Sequence, residues 1–185
     1  MRSPLILDPK DTVLVIIDIQ EKLFRTIEGR PDIEKNAIKA IRLAKVFGLP
    51  ILVTEQYPKG LGPTIPALAQ ELGEFKALPK TEYSAFGQQP FADALASTGR
   101  KTLLLLGIET HICVTQTALD ALASGYKVHV VSDAVGSSKN ERKEIGLGRM
   151  RQAGAVITSI ESAAFDLMGK AKTKEFEEIS KFLFL

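Results

Sequence analysis

The sequence predicts a three-layer α/β domain in which a doubly wound, six-stranded parallel sheet carries helices on both faces. Continuous aliphatic runs at residues 13–17 and 102–106 lack polar alternation, which is typical of strands buried on both faces. Such runs alternate along the chain with segments of helical periodicity, the order of βαβ units. The chain of 185 residues fits one domain, over residues 1–185, and should bury about 70% of its unfolded surface.

The first βαβ unit begins with a strand over residues 13–18, which ends in the carboxylate of Asp18. A helix over residues 31–47 follows with apolar side chains at helical spacing, and Gly48 ends it. Residues 49–54 form the second strand. Because crossovers of this kind are right-handed, the two strands should be parallel neighbours in one sheet.

A long loop and the end of a third strand come next. Residues 55–66 contain two glycines and three prolines, and a loop of this length usually forms part of a site. Pro79 indicates an edge strand or a strand exit, because proline cannot donate to a central ladder. Lys80 should therefore stand just past a strand end, and a short helix over residues 90–97 leads on to the next strand.

The central strand covers residues 102–106, and Gly107 is expected to end it. Thr110 is then expected to cap a helix that runs to about Gly125. The only cysteine, Cys113, would lie in the first turn of that helix, where free N–H groups and the helix dipole favour a thiolate. With a lysine nearby we expect its pKa to fall by about 1.5 units. The alternative is that a lone cysteine is a small, buried and inert hydrophobe.

The last third of the chain repeats the pattern of strand and helix. A strand over residues 126–134 ends near Asp133, and it is followed by a helix over 140–152, a short strand over 155–158, and helices over 162–169 and 173–184. The resulting count is six strands alternating with helices, without repeat or linker. That count predicts a Rossmann-like, doubly wound domain.

Composition excludes several classes of function. The 24 Lys and Arg residues against 22 Asp and Glu residues, scattered along the chain, do not indicate a nucleic-acid or membrane surface. One cysteine cannot form an internal disulfide, and the N-terminal residues lack a long apolar segment. We therefore expect a cytoplasmic protein without membrane spans.

Three polar groups of complementary chemistry follow three different strands: Asp18, Lys80 and Cys113. Each alone has an ordinary explanation, as a helix cap, a solvated lysine and a buried thiol. In open parallel sheets, however, the carboxyl ends of the strands meet at one edge. A carboxylate, an ammonium and a thiol that converge there would form a nucleophile with its own base and electrostatic support.

At these residues the chain resembles the isochorismatase-like cysteine hydrolases. The resemblance is closest to the small isochorismatase domain-containing proteins, covers nearly the whole chain, and rests on residues 15–20 (VIIDIQ), 80–86 (KTEYSAF), 107–114 (GIETHICV) with 116–118 (QTA), and 131–134 (VSDA). It implies that Cys113 is the nucleophile, Asp18 the general base and Lys80 the supporting cation. It further implies a cis peptide between Ile108 and Glu109, with the backbone N–H groups of Glu109 and Cys113 turned toward a developing oxyanion. The implied substrate is a small molecule. An amide would react through a thioester, and an enol ether is the other substrate class.

Metal-binding members of this family place histidines after the second strand, whereas the chain has only two histidines, neither of them there. We therefore expect no metal and no cofactor. Candidate residues for the substrate pocket are Phe24, Glu55, Gln56, Tyr83 and Phe86. Family members are commonly oligomers, so the resemblance implies a homo-oligomer, in which a neighbouring subunit could complete the pocket.

Two other hypotheses remain at this stage. The fold and the three residues could belong to a binding or assembly module whose hydrolysis is vestigial, since a fold does not fix a function. Alternatively, Asp18 could be the nucleophile of a phosphoryl-transfer enzyme, because it follows the first strand of the sheet. Against this second hypothesis, Gln20 stands where a second acid would be expected.

Overall fold

The computed structural model describes residues 3–184 of the chain. Within them lie six strands: β1 (Thr12–Ile17), β2 (Ile51–Gln56), β3 (Leu78–Lys80), β4 (Thr102–Ile108), β5 (Lys127–Gly136) and β6 (Val156–Thr158). All neighbouring pairs are parallel, and the strand order is β3-β2-β1-β4-β5-β6. The predicted fold class is confirmed. The predicted domain over residues 1–185 includes residues 1, 2 and 185, which lie outside the described residues.

The α-helices of the described part are α1 (Glu21–Phe24), α2 (Arg30–Phe47), α3 (Pro58–Leu61), α4 (Pro66–Leu72), α5 (Gln89–Ser97), α6 (Thr115–Ala123), α7 (Asn140–Gln152), α8 (Ile160–Met168) and α9 (Lys174–Leu183). Helix α2 packs with α4, α8 and α9, while α6 packs with α7. The chain moves one way along the sheet from β1 to β2 and the other way from β4 to β5. Since crossovers between parallel strands are as a rule right-handed, helices that connect strands in the two directions are expected on opposite faces.

Strands β1 and β4 form the centre of the core. All residues of both strands are buried, as their unbroken aliphatic sequences predict. Strand β1 pairs with β4 along its whole length, from Thr12 beside Thr102 to Ile17 beside Gly107. The strand order reverses between them, so the loops beyond β1 and β4 diverge there and leave room for a site.

The ends of three strands differ from the prediction. Strand β2 runs to Gln56, so Glu55 and Gln56 belong to the strand and not to the loop that follows. Strand β5 continues to Gly136, two residues past its predicted end. Strand β3 is a three-residue edge strand that contains Pro79 and ends at Lys80. Pairing with a neighbouring strand, which local sequence does not reveal, sets these ends.

Gly107 does not end the central strand, which continues through it to Ile108. The glycine has φ +126°, and a Cβ at this position would overlap backbone atoms of Ile17. It is therefore required for the close approach of β4 to β1 and not as a strand breaker.

The predicted helix cap at Thr110 is also wrong. A five-residue π-helical turn over Thr110–Val114 precedes α6, and Glu109 is the residue before that turn. The Thr110 hydroxyl is buried without a hydrogen-bond partner among the described residues. Cys113 thus lies within a wider turn, before the α-helix proper begins at Thr115.

No helix between residues 3 and 184 is both long enough and apolar enough to cross a membrane.

Candidate active site

The three predicted site residues meet at the carboxyl edge of the sheet. Asp18 follows β1, Lys80 is the last residue of β3, and Cys113 lies in the turn after β4. Strand β2 joins the first two, because Thr54 pairs with Ile17 on one side and Gln56 with Lys80 on the other. The parallel pairing thus brings together side chains that lie far apart in sequence.

Asp18 and Lys80 form a buried ion pair. Lys80 Nζ lies 2.7 Å from Asp18 Oδ2, and the two side chains are 1% and 0% exposed. Asp18 Oδ1 accepts a hydrogen bond of 2.7 Å from Thr54 Oγ1. Oδ2 has no aligned hydrogen bond to any described residue, so its contact with the ammonium is an ion pair. This second oxygen is the one left to accept a proton.

Oxygen atoms surround the Lys80 ammonium. Its Nζ donates to Gln56 Oε1 at 2.6 Å, to the carbonyl of Glu82 at 3.2 Å and to the carbonyl of Tyr83 at 3.1 Å. Together with the Asp18 carboxylate, these acceptors fix the position of the ammonium. Lys80 is therefore not the solvated surface lysine of the alternative explanation.

The Cys113 thiol is 5% exposed and lies next to both charged groups. Burial and then the negative charge of Asp18 raise the pKa of Cys113 to about 12, while Lys80 acts in the opposite direction. The expected fall in this pKa is therefore wrong. Desolvation of the thiolate and repulsion by the carboxylate outweigh the lysine. At neutral pH only about one thiol in 10⁵ would be ionised.

The turn that carries Cys113 is held from two sides. The peptide between Ile108 and Glu109 is cis, and Glu109 Oε2 accepts a hydrogen bond of 2.8 Å from the backbone N–H of Ser138. His111 Nδ1 lies 3.0 Å from the hydroxyl of Ser137. These contacts tie the turn to the segment between β5 and α7.

The five pocket candidates have different surroundings. Gln56 contacts the Lys80 ammonium, whereas Glu55 accepts hydrogen bonds from the N–H and hydroxyl of Thr64. Tyr83 is 57% exposed and Phe24 is buried in the core. Phe86 packs against Phe91 and Tyr126, with ring centroids 5.4 and 5.9 Å away. The structure thus brings only Gln56 and the Tyr83 backbone to the charged pair.

Sequence reasoning missed Thr54, which binds Asp18, and assigned no role to Gln20. Gln20 is fully buried and its side chain bonds both the N–H and the C=O of Gln56. A signal for Thr54 was available in its position. It stands two residues before the candidate Gln56, so the two side chains should point to the same side of β2.

No group of three or more His, Cys, Asp or Glu side chains within residues 3–184 could hold a metal ion. The carboxylate beside the thiol is paired with Lys80 instead. That the protein works without a metal or cofactor stays a prediction.

Comparison with known proteins gives consistent matches. Residues 12–162 match the family model of the isochorismatase domain. The secreted isochorismatase effector Isc1 of Phytophthora sojae is 40% identical over 182 residues, 95% of this chain and 85% of the relative.

Two solved structures share the fold along almost the whole chain. MAR1 ribonuclease from Caenorhabditis elegans has a TM-score of 0.90 and 36% identity, covering 97% of this chain and 92% of that one. The YcaC gene product from Escherichia coli, described as an octameric hydrolase of unknown specificity, has a TM-score of 0.86 and 28% identity. This match covers 92% of this chain and 85% of the YcaC chain.

Proposed function

Since this chain belongs to the isochorismatase family of hydrolases, we propose that it is a metal-independent cysteine hydrolase of a small molecule. The family resemblance predicted from the sequence is confirmed. The proposed substrate is an amide or an enol ether, Cys113 is the proposed nucleophile, and Asp18 and Lys80 are its partners.

One observation carries the proposal: the thiol of Cys113 borders a buried pair of opposite charges, Asp18 and Lys80. Burying a carboxylate and an ammonium is costly, and a structural pair could often be replaced by apolar residues without loss. A nucleophile, a base and a cation in contact are the set that covalent catalysis requires. Chemistry therefore gives a reason for the pair that stability alone does not.

The raised pKa of the thiol determines how the first step proceeds. With the pKa of Cys113 at about 12, the sulfur is protonated at neutral pH, so the proton must leave as the sulfur attacks. Asp18 Oδ2 takes that proton while the S–C bond to the substrate carbonyl forms. The carbonyl oxygen becomes an oxyanion, for which the backbone N–H groups of Glu109 and Cys113 are the proposed donors.

An amide then decomposes in two further steps. The oxyanion collapses, the C–N bond breaks, and Asp18 returns the proton to the leaving amine, which leaves a thioester on Cys113. In the second step, the oxygen of a water molecule attacks the thioester while Asp18 takes a proton from that water. The C–S bond breaks and the proton restores the thiol.

Lys80 stabilises the negative charge that passes between the sulfur, the carboxylate and the oxyanion. Its side chain is 1% exposed, so water screens this charge little. Four oxygen contacts fix the ammonium in place, and it needs no rearrangement during the reaction.

A parallel assay of wild type, Cys113→Ala and Asp18→Asn tests the proposal. Small amides, vinyl ethers and thioesters would be screened for hydrolysis, with the exposed Asp120→Asn on α6 as the matched control. We expect Cys113→Ala to lose activity by about 10⁴-fold and Asp18→Asn by about 10²–10⁴-fold. Full activity in Cys113→Ala would contradict the proposal.

The ribonuclease name of the C. elegans structure makes RNA a second substrate class for this assay. With 24 basic and 22 acidic residues, the chain has little excess charge to attract a polyanion. We therefore retain the small molecule as the proposed substrate. RNA cleavage that Cys113→Ala abolishes, without hydrolysis of any small molecule, would reverse this choice.

We further propose that the protein is a cytoplasmic homo-oligomer. The octameric YcaC protein supports assembly, whereas the secreted Phytophthora relative differs in location. Light scattering during size-exclusion chromatography would give a mass that is a multiple of 20.2 kDa. A mass equal to one chain at micromolar concentration would contradict the oligomer.

A further inference from the structure

Strand β2 touches both charged members of the site without supplying either of them. Thr54 Oγ1 donates to Asp18 Oδ1 at 2.7 Å, and Gln56 Oε1 accepts from Lys80 Nζ at 2.6 Å. The two residues lie on the same side of β2, between β1 and β3. Both contacts are therefore made from a single strand end.

We propose that Thr54 and Gln56 are positioning residues, which assign one oxygen of Asp18 to the proton of Cys113 and hold Lys80 without neutralising it. This inference rests on the proposed function of Cys113 as a nucleophile. Thr54 acts through Asp18 and Gln56 acts through Lys80.

The Thr54 hydroxyl decides which carboxylate oxygen is free. Thr54 is 1% exposed, and the hydrogen bond from its hydroxyl occupies Asp18 Oδ1. Asp18 Oδ2 is therefore the oxygen left beside Lys80 and the thiol. Two ionisable groups face Asp18, namely Lys80 from β3 and Cys113 from the turn after β4. This hydrogen bond fixes the rotation of the carboxylate, so Oδ2 stays the oxygen that faces the thiol proton.

The Gln56 amide has a fixed orientation. Its Nε2 donates to the carbonyl of Thr81 at 2.7 Å, so its Oε1 must face Lys80. Its backbone is held by Gln20, which accepts from the Gln56 N–H at 2.7 Å and donates to its carbonyl at 3.0 Å. A neutral acceptor here positions the ammonium and leaves its charge available to Asp18 and Cys113. A carboxylate of the same length would share that charge.

The test is the rate of Cys113 alkylation by iodoacetamide at neutral pH, measured by intact-protein mass spectrometry. For Thr54→Val, which keeps the shape and removes the hydroxyl, we expect the rate to fall by about tenfold, and Thr54→Ser, which keeps the hydroxyl, to restore it. A loss of packing alone would slow Thr54→Ser more than Thr54→Val, because serine lacks the methyl group. A wild-type rate in Thr54→Val would overturn the role of Thr54.

For Gln56→Glu we expect alkylation to slow by about tenfold or more, because a second carboxylate competes for Lys80. The matched control is Gln152→Glu at the exposed end of α7, which should react like wild type. Equal rates in Gln56→Glu and wild type would overturn the role of Gln56. Circular dichroism checks the fold of each variant.

Substrate hydrolysis by Asp18→Asn separates failure of this inference from failure of the proposed function. If Asp18→Asn loses hydrolysis while the Thr54 and Gln56 variants are alkylated at the wild-type rate, the inference alone is wrong. If Asp18→Asn hydrolyses the substrate as fast as wild type, Asp18 is not the base and both are wrong.

Discussion

The protonation of Cys113 is the feature of single residues that most affects the chemistry. Burial sets the direction of the shift in its pKa, because a thiolate on a residue that is 5% exposed loses most of its hydration. The adjacent Asp18 adds repulsion and Lys80 only partly offsets it. The sulfur is therefore stored as a thiol and becomes a nucleophile when the carboxylate takes its proton.

Titration of the thiol should show this directly. With its pKa raised to about 12, Cys113 should give no thiolate absorbance until the solution is strongly alkaline. Asp18→Asn removes the repelling charge, so its thiol should ionise at lower pH by about one unit or more. The ultraviolet difference between each protein and its Cys113→Ala counterpart measures both. A wild-type midpoint near the ordinary value of about 8.5 would contradict the raised pKa.

At the scale of elements, the position of the π-helical turn depends on its packing against α7. A Cβ on Gly146 would lie 2.9 Å from the Cα and N of His111 and from the carbonyl carbon of Thr110. Only a glycine lets the helix approach the turn so closely. At Gly148, on the same helix, a Cβ would meet no atom within 4 Å.

These two glycines form a matched pair of predictions. Gly146→Ala should lower the free energy of unfolding by about 1–3 kcal/mol and slow alkylation of Cys113, because the turn must shift. Gly148→Ala should raise the free energy of unfolding by up to about 1 kcal/mol, since alanine is the better helix former. Urea denaturation measures both. A stabilised Gly146→Ala would mean that α7 does not set the turn.

At the scale of the whole molecule, we propose that the chain is one folding unit whose core includes the C-terminal helix. Helix α9 packs on α2, and its Ile179 is 1% exposed within the same apolar cluster as β1 and β4. A single contiguous cluster is expected to unfold cooperatively.

Truncation of one side chain in α9 tests that unity. Ile179→Ala should lower the free energy of unfolding by about 2–4 kcal/mol through the lost burial and the cavity left behind. The neighbouring exposed Glu178→Ala should change it by less than about 0.5 kcal/mol. Circular dichroism and the exposure of Cys113 to a thiol reagent should report the same transition. Separate transitions for α9 and for Cys113 would show two units.

The sequence by itself determined the class of fold and the place of the charged site residues. The aliphatic runs of β1 and β4 are long and unbroken, so burial on both faces follows from composition alone. Asp18 and Lys80 were identified because each stands where a strand ends. Parallel pairing then places such residues at one edge.

Tertiary structure decided what depends on contacts between distant segments. Thr54 and Asp18 are 36 residues apart, and Gln56 and Lys80 are 24 apart, so no local pattern marks these bonds. The need for Gly107 comes from the backbone of Ile17 beside it. The direction of the pKa shift at Cys113 followed from burial, which outweighed the lysine. Local sequence shows periodicity and the residues that end helices and strands, whereas desolvation and long-range hydrogen bonds exist only once the chain has packed.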